Sequence, residues 1–419
     1  VYTGLNNLRD YGAAYKQGIS TGVRGMCVYH DQLVISNVTM DSTTGKSSAT
    51  LLISTDPEQG FTQIADSDTL FNYPAYHYSD SIYGGSIWDM VEYNNSLYVS
   101  ICTGTEDNMP NNNTMQSFAL VRGDQNADGT FTWTPVAGDQ KKDGARYTFG
   151  IDPERTRSGA ANLTVFNDYL YIGEYNDEEI ALERILFSKT GKNANGQFGG
   201  GLDCRFLNAN LDQSVSLYRM DKNENMELVV GNSTKMFPNG SLSGLKSGFG
   251  RNENQYIWRM EVYDGKLYVG TFDTSSLLQV MGQFVNGDLL KQTPEAWKSQ
   301  WEYLKALMKA LQTVDPNGNG NPDALAQTIK FSYNFVFKNI TVRNIASAIK
   351  LLNYLRTAKR GFDLYVTEDG VNFETVTIDG FGDPYNHGLR VFATTDQGLC
   401  LGTANPFYGT QIWIQRKAD

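Results

Sequence analysis

The stretch YIWRMEVYDGKLYVGTFD, Tyr256 to Asp273, decides how the whole chain is read. Polar and apolar residues alternate at period two through its first half. Asp264-Gly265 is a strong signal for a two-residue hairpin turn, and Lys266 to Thr271 resumes as a second strand. Four weaker copies of this hairpin lie elsewhere: VRGMCVYHDQLVISN from Val23, IWDMVEYNNSLYVSI from Ile87, AANLTVFNDYLYIGE from Ala160 and GLRVFATTDQGLCLGT from Gly388. Internal similarity of this kind points to a repeat architecture.

Aligned on Met26, Met90, Leu163, Met260 and Val391, the copies stand at intervals that widen along the chain. A fixed-length solenoid does not drift in this way, whereas propeller blades accept insertions in their loops. The first four copies are each followed by an apolar strand, a turn rich in Asp, Asn and Gly, and another strand, which together make a four-stranded blade. The fifth copy is followed by one strand, Gln411 to Arg416, and Val1 to Gly4 is placed to supply the missing one. The fold expected is therefore all-β, a five-bladed β-propeller closed by the N-terminal strand, with residues 1–419 forming a single domain.

Composition agrees. The 419 residues include 41 Gly, 24 Tyr and 21 Phe, the mixture of strands and tight turns. Residues 277–361 break the pattern. Thr293 and Pro294 can start a helix with Trp297, Trp301, Leu304, Met308 and Leu311 on one face, and a second helix is expected from about Thr341 to Ala358. This is an α-helical insertion in blade four.

The formal net charge is −11 and no run of Lys or Arg interrupts it, so nucleic acid is not an expected partner. No apolar stretch approaches the ~20 residues of a membrane span. The chain opens at Val1 without a methionine, which suggests upstream processing or trimming. A monomer, secreted or at the cell surface, is expected. Cys27, Cys102, Cys204 and Cys400 lack metal-ligand spacing; Cys27 and Cys400 read as small buried hydrophobes, or as a bridge if the protein is exported. Asn37 and Asn162 head glycosylation sequons inside expected strands, where chance matches in an Asn-rich chain are the simpler reading.

The turn DQNADG places Asp124, Asn126 and Asp128 at the spacing of a calcium loop, without the acidic residue that would complete an EF-hand. A calcium-stabilised turn and a plain Asx-rich turn both fit, as they do for the poorer stretch Asp315 to Asp323. The turns at Ser54 and Thr367 resemble the Asp-box of sialidase-like propellers, with altered spacing. The loops Gly248-Phe249-Gly250 and Gly380-Phe381-Gly382, each leading to a hairpin that ends in Gly-Thr, resemble repeats of exported bacterial five-bladed β-propeller proteins of unassigned function. That resemblance implies the architecture and carries over no catalytic residue.

The residues before the aligned row are Gly25, Asp89, Asn162, Arg259 and Arg390, a mostly polar set expected to line the mouth of the axial channel. Thr103, Glu174, Asn176, Asp177, Asp273 and Asn405 follow the second strands. Tyr76, His77, Tyr78, Tyr385, Asn386 and His387 lie in the loops leading to the first ones. Aromatic and amide side chains together suit sugar rings. Arg259 and Arg390, read as equivalent, would gather at one place and attract a carboxylate, either Asp89 or Glu261 within the protein or that of an acidic sugar. The principal expectation is a noncatalytic binding protein for a glycan or other polar ligand at the axial face. One alternative is a glycoside-active enzyme using Asp89 with Glu174 and Asp273; another is an interaction scaffold built on the helical insertion.

Overall fold

The computed structural model describes residues 18–41, 47–66, 69–70, 87–103, 117–155, 158–176, 214–273, 357–405 and 409–416. These form nineteen strands, hydrogen-bonded into two four-stranded sheets and one eleven-stranded sheet, that follow one another along the chain as five antiparallel units. The first is β1 (Gly18–Tyr29), β2 (Gln32–Asp41), β3 (Ser47–Ser54) and β4 (Thr62–Asp66). The second is β5 (Ile87–Tyr93), β6 (Ser96–Thr103), β7 (Ser117–Gln125) and β8 (Phe131–Ala137). The third is β9 (Ser158–Phe166), β10 (Tyr169–Asn176), β11 (Leu217–Met220) and β12 (Met226–Val230). The fourth is β13 (Asn254–Tyr263), β14 (Lys266–Asp273), β15 (Leu364–Thr367) and β16 (Glu374–Thr377). The fifth is β17 (Gly388–Thr395), β18 (Gly398–Ala404) and β19 (Ile412–Arg416).

The hairpins of the repeat are present in all five units. In four of them both turn residues have positive φ: His30-Asp31, Asn94-Asn95, Asn167-Asp168 and Asp264-Gly265. This conformation matches the right-handed twist of the flanking strands, and Asn, Asp and Gly tolerate it best. The first strands of successive units pack against one another, as blades of a propeller do. Side chains tie them together: Tyr93 on β5 donates to the carbonyl of Asp168 at 2.8 Å, and Tyr171 on β10 donates to that of Gly370 at 3.0 Å.

Four apolar cores lie between the five units. Tyr29, Leu51 and Ile53 meet Ile87, Leu97 and Val99; Tyr98 and Phe118 meet Leu163 and Tyr218. Tyr171 and Leu217 meet Ile257 and Val269; Tyr268 and Leu364 meet Leu389 and Leu401. On the remaining face of the first unit Ile35 and Leu52 are the buried cluster among the described residues, with Leu33 and Phe61 against them. The described sheets do not close into a ring.

The GFG loops have a repeated geometry that explains their spacing. Gly248, Phe249 and Gly250 all have positive φ, as do Gly380, Phe381 and Gly382. Six residues after each first glycine an asparagine locks the loop: Asn254 Nδ2 donates to the Gly248 carbonyl at 2.9 Å, and Asn386 Nδ2 to that of Gly380 at 3.0 Å. The oxygens of the same two amides accept from Thr271 and Thr403, the threonines of the Gly-Thr ends.

Residues 1–17 and 274–356 lie outside the described residues, and with them the N-terminal strand and nearly all of the expected helical insertion. Cys27 and Cys400 are free and half-buried, and burial pushes the Cys27 thiol up to about 12. Among the described residues no helix is long and apolar enough to cross a membrane.

Candidate functional site at the inner-strand ends

Four of the five inner strands carry one extra residue at the same height. The pairing slips between Val23 and Met26 on β1, Ile87 and Asp89 on β5, Ile257 and Arg259 on β13, and Leu389 and Val391 on β17. A bulge of this kind turns one side chain out of the strand's alternation, and such bulges gather beside functional sites. The residues so displaced are Trp88, Trp258 and Arg390, with Arg24-Gly25 on the first strand.

The slip also corrects the equivalence of the two arginines. Arg259 pairs with Gly270, and the matching glycine of the fifth unit, Gly402, pairs with Val391. Arg390 therefore corresponds to Trp258, and Phe392, buried like Met90 and Met260, takes the aligned place given to Val391. Arg390 lies 5.3 Å from the centre of the ring of Trp258, the residue before Arg259 in the chain.

Asp89 is 6 % exposed and surrounded by donors. Its Oδ1 accepts from the Met90 amide at 3.0 Å and lies 3.8 Å from Arg259 Nη1, and its Oδ2 accepts from the Leu163 amide at 2.8 Å. Asn162 is buried between strands, accepting from Trp88 Nε1 at 3.2 Å and donating to the carbonyls of Ile257 and Trp258. Its sequon therefore has no room for a glycan.

An aromatic surface continues from there. Trp88 packs on Tyr175, Tyr175 on Tyr256, and Tyr256 on Trp258 and Phe272, with centroid separations of 4.8, 3.6, 5.9 and 4.4 Å. His387 stacks on Trp258 at 6.0 Å; burial first, and Arg390 second, hold its imidazole down to about 4, so it is neutral at neutral pH. Trp88, Tyr175 and Trp258 are half-buried, and Arg390 is exposed. Glu261, two residues beyond Arg259, accepts from Thr394 on β17 at 3.5 Å. Burial pushes its carboxyl up, against the pull of Arg259.

Two of the expected carboxylates do not join this group. Glu174 is fully buried; it pairs with Arg155 at 2.5 Å and accepts from the Ser216 amide at 2.7 Å and the Tyr218 hydroxyl at 3.2 Å. Asp273, also fully buried, accepts from the Gly361 amide at 2.6 Å. Both stand where the chain crosses between strands and their oxygens satisfy buried backbone amides. Asn386 is the lock of its GFG loop. Tyr76, His77, Tyr78 and Asp177 lie outside the described residues, as do the side chains of Thr103 and Asn176.

The calcium turn was tested by its donors. Asp124 accepts from Ser96 at 2.6 Å and from Arg122 at 3.0 Å, Asn126 is engaged by Thr130 and Thr132, and Asp128 caps Thr130. Asn126 and Asp128 share the Thr130 hydroxyl, whereas Asp124 turns to Ser96 and Arg122. These bonds are those of an Asx-rich turn, the second of the two readings. The stretch Asp315 to Asp323 lies outside the described residues.

No protein-family model matches the chain, and no curated protein does. Among solved structures it is similar to a GH43_1 enzyme from Xanthomonas citri complexed with xylotriose, at 13% identity over 64% of this chain and 72% of that one, with a TM-score of 0.29. It is similar to an α-L-arabinofuranosidase from Fusarium graminearum at 9% identity, 62% and 57% coverage and 0.30. A GH43 endo-arabinanase from Bacillus licheniformis gives 11% identity, 59% and 67% coverage and 0.25. At these scores neither substrate nor residue roles transfer to this chain. All three are described as enzymes, whereas the principal expectation from the sequence is a noncatalytic binding protein.

Proposed function

We propose that the protein is a glycoside-acting enzyme working outside the cytoplasm, with its site at the axial mouth of a five-bladed propeller. The observation that carries this reading is the repeated bulge: the same irregularity turns Trp88, Trp258 and Arg390 out of their strands beside Asp89 and Arg259. Indole faces stack on the apolar faces of sugar rings, and guanidiniums hold hydroxyls or a sugar carboxylate.

Glycoside hydrolysis needs one carboxyl group that can give a proton to the leaving oxygen and another that is ionised. Two residues flank Arg259 in environments that differ in this sense. Glu261 is pushed toward its protonated form by burial, which suits the proton donor. Asp89 is held by two amides and a guanidinium, the donor set of a carboxylate anion, which suits the nucleophile or base. Arg259 lies between them and orients substrate, while Trp88 and Trp258 form the platform.

A panel of chromogenic aryl glycosides, including uronides because of the two arginines, tests the reading. Release of the aglycone from at least one member is expected. No release from any member, at enzyme concentrations that would reveal even slow turnover, overturns it.

A further inference from the structure

The loops of the third unit hold a second cleft, away from the aromatic surface. It has a volume of about 740 Å³ and lies between Ser214, where the chain enters β11, and the loop from Gly231 to Asn252 that joins β12 to β13. Clefts that take small ligands run from about 300 to 1,000 Å³. Its walls are hydroxyls, amides and glycines, with Lys246 the one charged residue among those lining it.

Two independent features mark it as built for an occupant. Ser214 is 1 % exposed, and its hydroxyl oxygen is buried with no hydrogen-bond partner among the described residues. A buried hydroxyl without a partner is costly, and such groups are uncommon in folded proteins. Gly244 and Gly250 hold positive φ with open space where a Cβ would stand, so the backbone there is bare to whatever approaches. The side chains of Ser233, Asn239 and Asn252 are likewise without hydrogen bonds among the described residues.

We infer that this cleft binds a neutral saccharide unit, at a site separate from the axial mouth. Ser hydroxyls and Asn amides each donate and accept, as sugar hydroxyls do, and pair with them in either sense. A wall without carboxylates does not suit a metal ion, and one exposed lysine is weak provision for a phosphate.

Titration calorimetry on the whole chain, with xylobiose, maltose and lactose as neutral probes and inorganic phosphate as the charged one, tests the inference. At least one disaccharide is expected to bind. Ser214→Ala should weaken it by about tenfold while leaving the melting temperature unchanged or raised, because it removes a hydroxyl that the fold does not use. Ser233→Trp, at an exposed rim position, should abolish it by filling the cleft. Arg390→Ala should leave it intact, which separates this site from the axial one. No disaccharide binding, binding untouched by Ser233→Trp, or loss of binding with Arg390→Ala would each overturn the inference. So would phosphate bound in the cleft and released by Lys246→Ala.

Discussion

Asp363 shows how much a single buried group decides here. Its side chain is fully buried, 2.8 Å from Arg251 Nε, and accepts from Asn254 at 2.7 Å and from the Tyr365 hydroxyl at 2.6 Å. Burial outweighs these partners and pushes the carboxyl up to about 6 from 3.8. A raised carboxyl favours folding in its protonated form: the contribution is full below about pH 4 and is lost as pH rises through about 6. The unfolding free energy of the wild type relative to Asp363→Asn should therefore fall by up to about 3 kcal/mol between pH 4 and pH 7. Denaturant titrations of both proteins across that range check it, and a constant difference would contradict it. At this scale the sequence was legible where a polar residue interrupts an apolar strand, as at Asp89, Asn162 and Arg259. Trp88 and Trp258 went unread because a bulge shifts the phase of alternation by one residue, which periodicity treats as noise. Glu174 was misread because its partner, Arg155, precedes it by nineteen residues in the chain, across the start of β9.

The hairpin and the GFG loop are the elements that recur. Hairpins were readable because Asn-Asn, Asn-Asp and Asp-Gly at the turns have few other conformations open to them. The role of Asn254 and Asn386 in locking their loops was not, since six-residue spacing within a loop has no periodic signature. Asn386→Ala would strip partners from the Gly380 carbonyl, from Gln411 and from Thr403, all bonded through one buried amide. A loss of about 2–3 kcal/mol is expected, seen as a lower urea midpoint with the same slope. A shift too small to resolve would mean that the lock is not needed. The Asp124 turn, by contrast, carries its own donors, so treatment with a chelator should leave the melting temperature unchanged; a fall on chelation would restore a bound cation there.

Across the whole molecule the two end units stand apart from the rest. Met90, Leu163 and Met260 are buried on their inner strands, whereas the equivalent Met26 is 64% exposed, and Val28 beside it 63%. At the other end Val391, Ile412 and Ile414 are exposed. These two apolar faces, together with the small cluster around Ile35 and Leu52, are the halves of a fifth core that a closed ring would bury. Removing residues 1–17 should lower stability and promote self-association if that segment completes the seam, as sedimentation and thermal unfolding would show; a truncated chain as stable and as monomeric as the full one would contradict closure. The all-β repeat of hairpins was legible in the sequence because repetition amplifies a weak hairpin signal, while ring closure depends on packing between segments far apart in the chain. Glu261 and Asp89 at the inner-strand ends are proposed to cleave glycosidic bonds. The most direct test is the turnover of the wild type against Glu261→Gln and Asp89→Asn on a cleaved aryl glycoside, with thermal unfolding run alongside. Each substitution should lower kcat by roughly 10²-fold or more, with Glu261→Gln folded as stably as the wild type. Unchanged turnover in a folded Glu261→Gln variant would contradict it.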